Sequence, residues 1–241
     1  MMLIVLVYVK KYLAGLFKLH IAIVPDIFKL GLPTALAVLT EIAAFGGSTL
    51  IIARISTLQT AAHNIVLTLA SITFMVPLSV AIATSVKVAR AFGENNQKLV
   101  YEYIKSALTL SLGFMTCSAL TFFIIPQYVL RIFTSDSELI TIGIPILIIA
   151  GLFQIFDGAQ VTLSGILRGL HVSRPTFFAN LAGYWVLGIP LGIYFAYSQN
   201  MGATGVWIGL ATGLFLVAIR LSFVLRAKVQ RVFAITPRSS Q

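Results

Sequence analysis

"LITIGIPILIIAGLFQIFDGAQVTLSGIL", residues 139–167, decides the fold. It is longer than the roughly 20 apolar residues a helix needs to cross a bilayer. Its one charge is Asp157, well inside the run. A soluble core helix would carry a polar outer face, and this segment has none wide enough. It reads as a membrane span that carries an acid.

The rest of the chain agrees. Of 241 residues, 59% are apolar and only 10% charged, with a mean hydropathy of +0.98. Soluble domains carry about a quarter charged residues. Five further segments qualify as spans, near 30–53, 61–85, 105–125, 176–197 and 203–225. An open sheet could not satisfy its backbone in lipid, so the expected class is an all-α membrane protein with six transmembrane helices. Residues 1–29 read as the end of a preceding helix, "MMLIVLVYV", plus a connection. Residues 30–225 form the six-helix lobe, and 226–241 form a basic tail. "MMLIVLVYV" has no basic residue before it, which argues against a cleaved leader.

The net charge of +10 would suit a nucleic-acid binder only on a folded basic face. Here the basic residues lie between apolar runs, so no nucleic-acid partner is expected. Of the 17 lysines and arginines, all but Arg54 and Arg131 fall on one side of the predicted spans. The positive-inside rule puts that side, and both chain ends, in the cytoplasm. Tyr101, Tyr103, Tyr194, Tyr197 and Trp207 are expected at the interfaces, where amphipathic rings are favoured. The lone cysteine, Cys117, is expected as a small buried residue, with no disulfide or thiolate metal site.

Asp26, Glu94, Glu102, Asp136 and Glu138 sit in or beside loops, where water solvates them. Glu41 and Asp157 do not. An ionised acid at mid-helix costs about 2.5 to 3.5 kcal/mol on insertion scales, so such residues usually pair or line a pathway. The plainer account is a protonated, hydrogen-bonded structural contact. Around Asp157, helical spacing aligns Gln154, Gln160, Ser164 and Arg168 into a polar stripe. Around Glu41 it aligns Thr34, Ala37, Ala44 and Ser48. Oxygen-only surroundings suit a proton or a hard monovalent cation such as sodium better than a transition metal. Pro33, Pro77, Pro145 and Pro190 within spans, with Gly183, Gly188 and Gly192, which make one helix easy to bend or pack closely, fit a bundle that bends.

His20, His63 and His171 form no ligand pair, and no nucleophile elbow or phosphate loop occurs, so no enzymatic activity and no cofactor are expected. His63 and Asn64 could line a cavity or simply satisfy backbone and loop groups.

"FKLGLPTALAVLTEIAAFG" (28–46), "AAHNIVLTLASITFMVPLSVAIATSVKVARAFG" (61–93), "ILRGLHVSRPTFFANLAGYWVLGIPLGIYFAY" (166–197) and "MGATGVWIGLATG" (201–213) together resemble the C-terminal half of MATE multidrug transporters, especially the NorM-like branch. The resemblance covers nearly the whole chain in order. It implies that the six spans are helices seven to twelve of a two-lobed exporter, sited in a bacterial inner membrane and driven by sodium or protons. Its substrates would be organic cationic or amphipathic compounds. It implies a cation site at Glu41 and Asp157, which match the family's acidic positions in helices seven and ten. Where some members carry a tyrosine one turn before that aspartate, this chain has Phe153. The resemblance also implies an N-terminal lobe as partner, from the same gene, a separate chain or a second copy. Two alternatives remain: a lipid-linked oligosaccharide flippase, which would need arginines in its cavity, and a truncated partner that transports nothing.

Overall fold

The computed structural model describes residues 24–234. Its elements are α1 (Val24–Ala53), α2 (Thr57–Gly93), α3 (Gln97–Ile124), the short α4 (Pro126–Arg131), α5 (Ser137–Gly169), α6 (Arg174–Ser198) and α7 (Gly202–Ala234). All except α4 are long and apolar enough to cross a membrane. At 37 residues, α2 is about 55 Å long, well beyond the roughly 30 Å hydrocarbon core. The helices exceed the expected spans because hydropathy marks only the lipid-buried part, while backbone hydrogen bonding continues into the interface.

Several expectations shift accordingly. Residues 24–29, read as connection, belong to α1; the reading of "MMLIVLVYV" lies outside the described residues. α7 runs past residue 225 to Ala234, so the start of the basic tail is helical. α4 was not foreseen, because Pro126 at its first turn sits between an apolar run and a turn and marks a boundary as readily as a start.

The turns are built from local chemistry. Ser56 caps α2 by accepting from Leu58 N, Asn96 caps α3 through Leu99 N, and Asp136 caps α5 through Glu138 N and Leu139 N. Gly202 takes a left-handed φ of 57°, and Gln59 Oε1 on α2 accepts from Ala203 N at 2.8 Å, which pins the start of α7.

α5 is the central post, packed on α2, α3 and α7. Its small residues allow the approach. A Cβ at Gly165 would lie 2.5 Å from Ala81 O of α2, and one at Gly158 would lie 2.6 Å from Met115 Cγ of α3. α6 and α7 approach still more closely. A Cβ at Gly205 would meet Ala196 N at 2.6 Å, and Gly209 and Gly213 abut Gly192 and Gly183 directly. α6 accommodates this seam by widening into π-helical turns at Leu181–Gly188 and Tyr194–Ser198. Of the two uses expected for Gly183, Gly188 and Gly192, bending and close packing, the seam shows the second: they are contacts between two backbones.

The outer surface is apolar: Leu50 is 70% exposed, Ile124 73% and Ile132 79%. Lipid is the solvent that suits such a surface. Cys117, expected to be buried, lies on it, because an apolar run in a membrane protein fixes no inward face. Trp207 departs the other way. It is fully buried, and its Nε1 donates to His63 Nδ1 at 3.0 Å. An amphipathic ring suits either an interface or a buried site with an acceptor, and sequence does not separate the two.

Candidate cation site

Glu41 sits on the face of α1 that also carries the buried Ala37, Ala44 and Ser48. Asp157 is buried on α5, 6% exposed. The fold brings both to one cavity of about 270 Å³, also lined by Phe45, Ser71, Phe74 and Phe153. The two carboxyls lie within electrostatic reach of each other, and Gln160 joins Glu41 in lining the adjoining cavity. Asp157 Oδ1 is buried with no hydrogen-bond partner in the protein. Buried polar atoms are rarely left unpaired, so this oxygen is set to hold something that is not protein.

Gln160 is held by a route across three helices. Its Nε2 donates to Asn180 Oδ1 on α6 at 3.2 Å, and Asn180 Nδ2 donates to Ala37 O on α1 at 3.5 Å. Trp185 Nε1 adds a second α6 to α1 link at Thr40 O, 3.1 Å. Asn180 carries no sequence signal of its own, since a lone Asn near a helix end reads as a turn residue.

Tyr184 was also not foreseen. This phenol is fully buried, its hydroxyl has no partner in the protein, and the charges of both Glu41 and Asp157 bear on it. Its ring lies 6.2 Å from that of Phe45, which stands edge-on to Phe153 at 5.8 Å. Phe153 in turn packs edge-on to Trp207 at 5.6 Å. Phe153 has no hydroxyl to offer one turn before Asp157, but α6 delivers one from another direction. That chance of fold is invisible to a search along α5.

Thr34, Phe153, Gln160 and Ser164 line this cavity or the adjoining one of about 250 Å³, which shares Glu41. Three other candidates lie elsewhere. Gln154 is buried with both amide atoms unpartnered but lines neither cavity. Ser48 is fully buried and donates back to Ala44 O at 2.8 Å, so its hydroxyl is occupied. Asn64 is exposed, because the turn into α2 rotates it off the inward face. Its neighbour His63 ties three helices: Trp207 donates to Nδ1, which leaves Nε2 to donate to Thr49 Oγ1 at 2.9 Å, and Thr49 donates on to Phe45 O at 3.1 Å. His63 thus satisfies side chains on α1 and α7 where backbone and loop groups were expected.

Six apolar helices, with Glu41 and the buried Asp157 facing one cavity between them, define an integral membrane protein of the helical-bundle class. The MatE family profile matches residues 33–194. The chain is 34% identical over 215 residues to "Probable multidrug resistance protein NorM" of Brucella suis biovar 1 (strain 1330), covering 87% of this chain and 46% of that relative. It is 34% identical over 205 residues to the protein of the same name from Acinetobacter baylyi (strain ATCC 33305 / BD413 / ADP1), covering 85% and 45%. The fold superposes on the crystal structure of the eukaryotic MATE transporter AtDTX14 with a TM-score of 0.78, at 24% identity over 88% of this chain and 50% of that one. It superposes on a MATE crystal structure in the straight conformation with a TM-score of 0.81, at 18% identity over 88% and 48%. This chain belongs to the MATE family. It spans about half the length of the curated relatives it matches.

Proposed function

We propose that the chain is one lobe of a cation-coupled exporter of organic, cationic or amphipathic compounds, the lobe in which a sodium ion or proton binds at Glu41 and Asp157. In this reading it works with a second, N-terminal lobe, in a bacterial inner membrane, with the Arg168 end in the cytoplasm. The observation that carries the reading is the convergence of Glu41 and Asp157, with its unpartnered Oδ1, on one small cavity, the buried Tyr184 hydroxyl being within electrostatic reach of both. A hard monovalent cation or a proton satisfies such an oxygen set. The names of the relatives support the cargo.

The coupling follows from electrostatics. Two ionised carboxyls facing each other within a membrane span repel, and one positive charge between them removes the repulsion and lets α1 close on α5. The ion leaving inward gives back about 2.3 kcal/mol per charge for each 100 mV of membrane potential, plus its concentration term. Closure and release of α1 alter the wall that this lobe presents to the cargo, so an equilibrium biased by the ion biases cargo affinity as well.

Asp157→Asn in the assembled two-lobe protein tests this directly. Cation-driven dye efflux from vesicles is expected to fall to background while the amount of protein in the membrane stays unchanged. Undiminished efflux would remove Asp157 from the mechanism.

A further inference from the structure

The cavity of about 250 Å³ beside the acid pair is a separate compartment. It runs between α1, α2, α5 and α6, from Glu41 at its inner end to Arg168 at its mouth, with Thr34, Gln160, Thr176 and Asn180 along its walls. Glu41, Ile42 and Phe74 line both this crevice and the acid-pair cavity, so the two compartments meet at one carboxylate.

Two features mark the crevice as open to water. Gln160 Oε1, Ser173 Oγ and Thr176 Oγ1 are buried along it with no partner in the protein, and their residues are 2%, 6% and 7% exposed. Unpaired buried polar atoms are rare in a folded interior, and the adjoining volume admits several water molecules. At the mouth, Arg168 Nε donates to Ser85 Oγ at 3.2 Å, and no carboxylate pairs with this guanidinium among the described residues. A half-buried unpaired guanidinium needs hydration. The crevice is also smaller than the roughly 300–1,000 Å³ typical of organic-ligand pockets, so a bare or part-hydrated ion fits it better than cargo.

We infer that this crevice is a hydrated exit for the coupling cation, leading from Glu41 to the Arg168 end of the membrane along this lobe. The inference rests on the cation reading of Glu41 and Asp157. The oxygens of Gln160, Thr176 and Ser173 replace lost hydration in steps along the route. The fixed positive charge of Arg168 keeps the crevice from storing cations, so residence is concentrated at the carboxylates and the mouth empties quickly. Conduction requires this balance of entry and departure. Phe74 and Ile42 stand where the compartments join and separate the ion's two positions.

Silver ion, a monovalent cation that consumes thiols, probes the route in membrane vesicles of either orientation. Cys117→Ser provides a cysteine-free background. Lys98→Cys, exposed at a turn, reports which face is outside, and Thr162→Cys, fully buried, gives the rate for a dry site. Thr176→Cys and Ala37→Cys are expected to react with silver added on the Lys98→Cys side at rates within tenfold of Lys98→Cys itself, and at least tenfold more slowly from the other side. Rates no faster than Thr162→Cys, or equal rates from both sides, would overturn the exit. Filling the crevice by Val161→Trp, or by Ser164→Leu if the larger side chain prevents assembly, is expected to lower kcat of cation-driven efflux at least tenfold with KM within twofold. Unchanged kcat would also overturn it. The two readings fail separately: full efflux by Asp157→Asn removes the cation site, whereas silver rates report the crevice whatever ion is coupled.

Discussion

Tyr184 holds a phenol hydroxyl in a fully buried position with both acids in electrostatic reach. If it lends an oxygen to the ion, Tyr184→Phe deletes that oxygen without changing the ring. A hydrogen bond is worth about 0.5–1.5 kcal/mol net, so apparent affinity for the coupling cation is expected to weaken about threefold to tenfold, read from the cation dependence of efflux. Trp207→Phe acts elsewhere. It leaves buried His63 Nδ1 without a donor, which costs about 1–3 kcal/mol and is expected to lower the melting temperature in detergent, with ion affinity little affected. Glu41 and Asp157 were legible in the sequence because a carboxylate inside an apolar run is conspicuous wherever the fold puts it. Tyr184, Asn180 and the Trp207 to His63 bond were not. A tyrosine, an asparagine or a tryptophan in a span has several ordinary uses, and only a contact between distant helices selects one.

At the scale of elements, hydropathy located the six spans and missed their ends, their added turns and α4. Of the polar stripe on α5, Gln160, Ser164 and Arg168 line one cavity and Asp157 the adjoining one, whereas Gln154 lines neither. A helical repeat of 3.6 residues spreads five such positions over a broad arc, and packing decides which part of the arc meets a cavity. Caps are separable from the site. Asp136→Ala removes the acceptor for two amides at the start of α5 and is expected to cost about 1 kcal/mol, visible as a lower melting temperature. Gly209→Ala is a harsher change, because its methyl would meet the Gly192 and Gly188 backbone. Overpacking of this kind costs about 1–3 kcal/mol, and reduced accumulation in the membrane is the expected readout.

The described residues present an apolar exterior over a largely apolar core, with a group of buried polar side chains gathered between α1, α5 and α6. Detergent is expected to be necessary for extraction, and alkaline carbonate is expected to leave the chain in the membrane pellet; release into the carbonate supernatant would contradict an embedded bundle. The class of the fold was legible because lipid imposes a simple rule on composition. The cavities were not, since they are spaces between helices and correspond to no stretch of sequence.

The seam between α6 and α7 carries one more implication. Where Gly188 and Gly192 meet Gly209, and Gly183 meets Gly213, backbone lies against backbone, with little side chain between them to take up a shift by changing rotamer. A displacement that begins at Tyr184 therefore reaches the neighbouring rod almost without loss, as in two rails riveted together. A fluorophore at Phe223, on the lipid-facing side of α7, should then brighten or dim as the acids load and unload, and a Gly213→Ala rail with a loosened rivet should mute that signal.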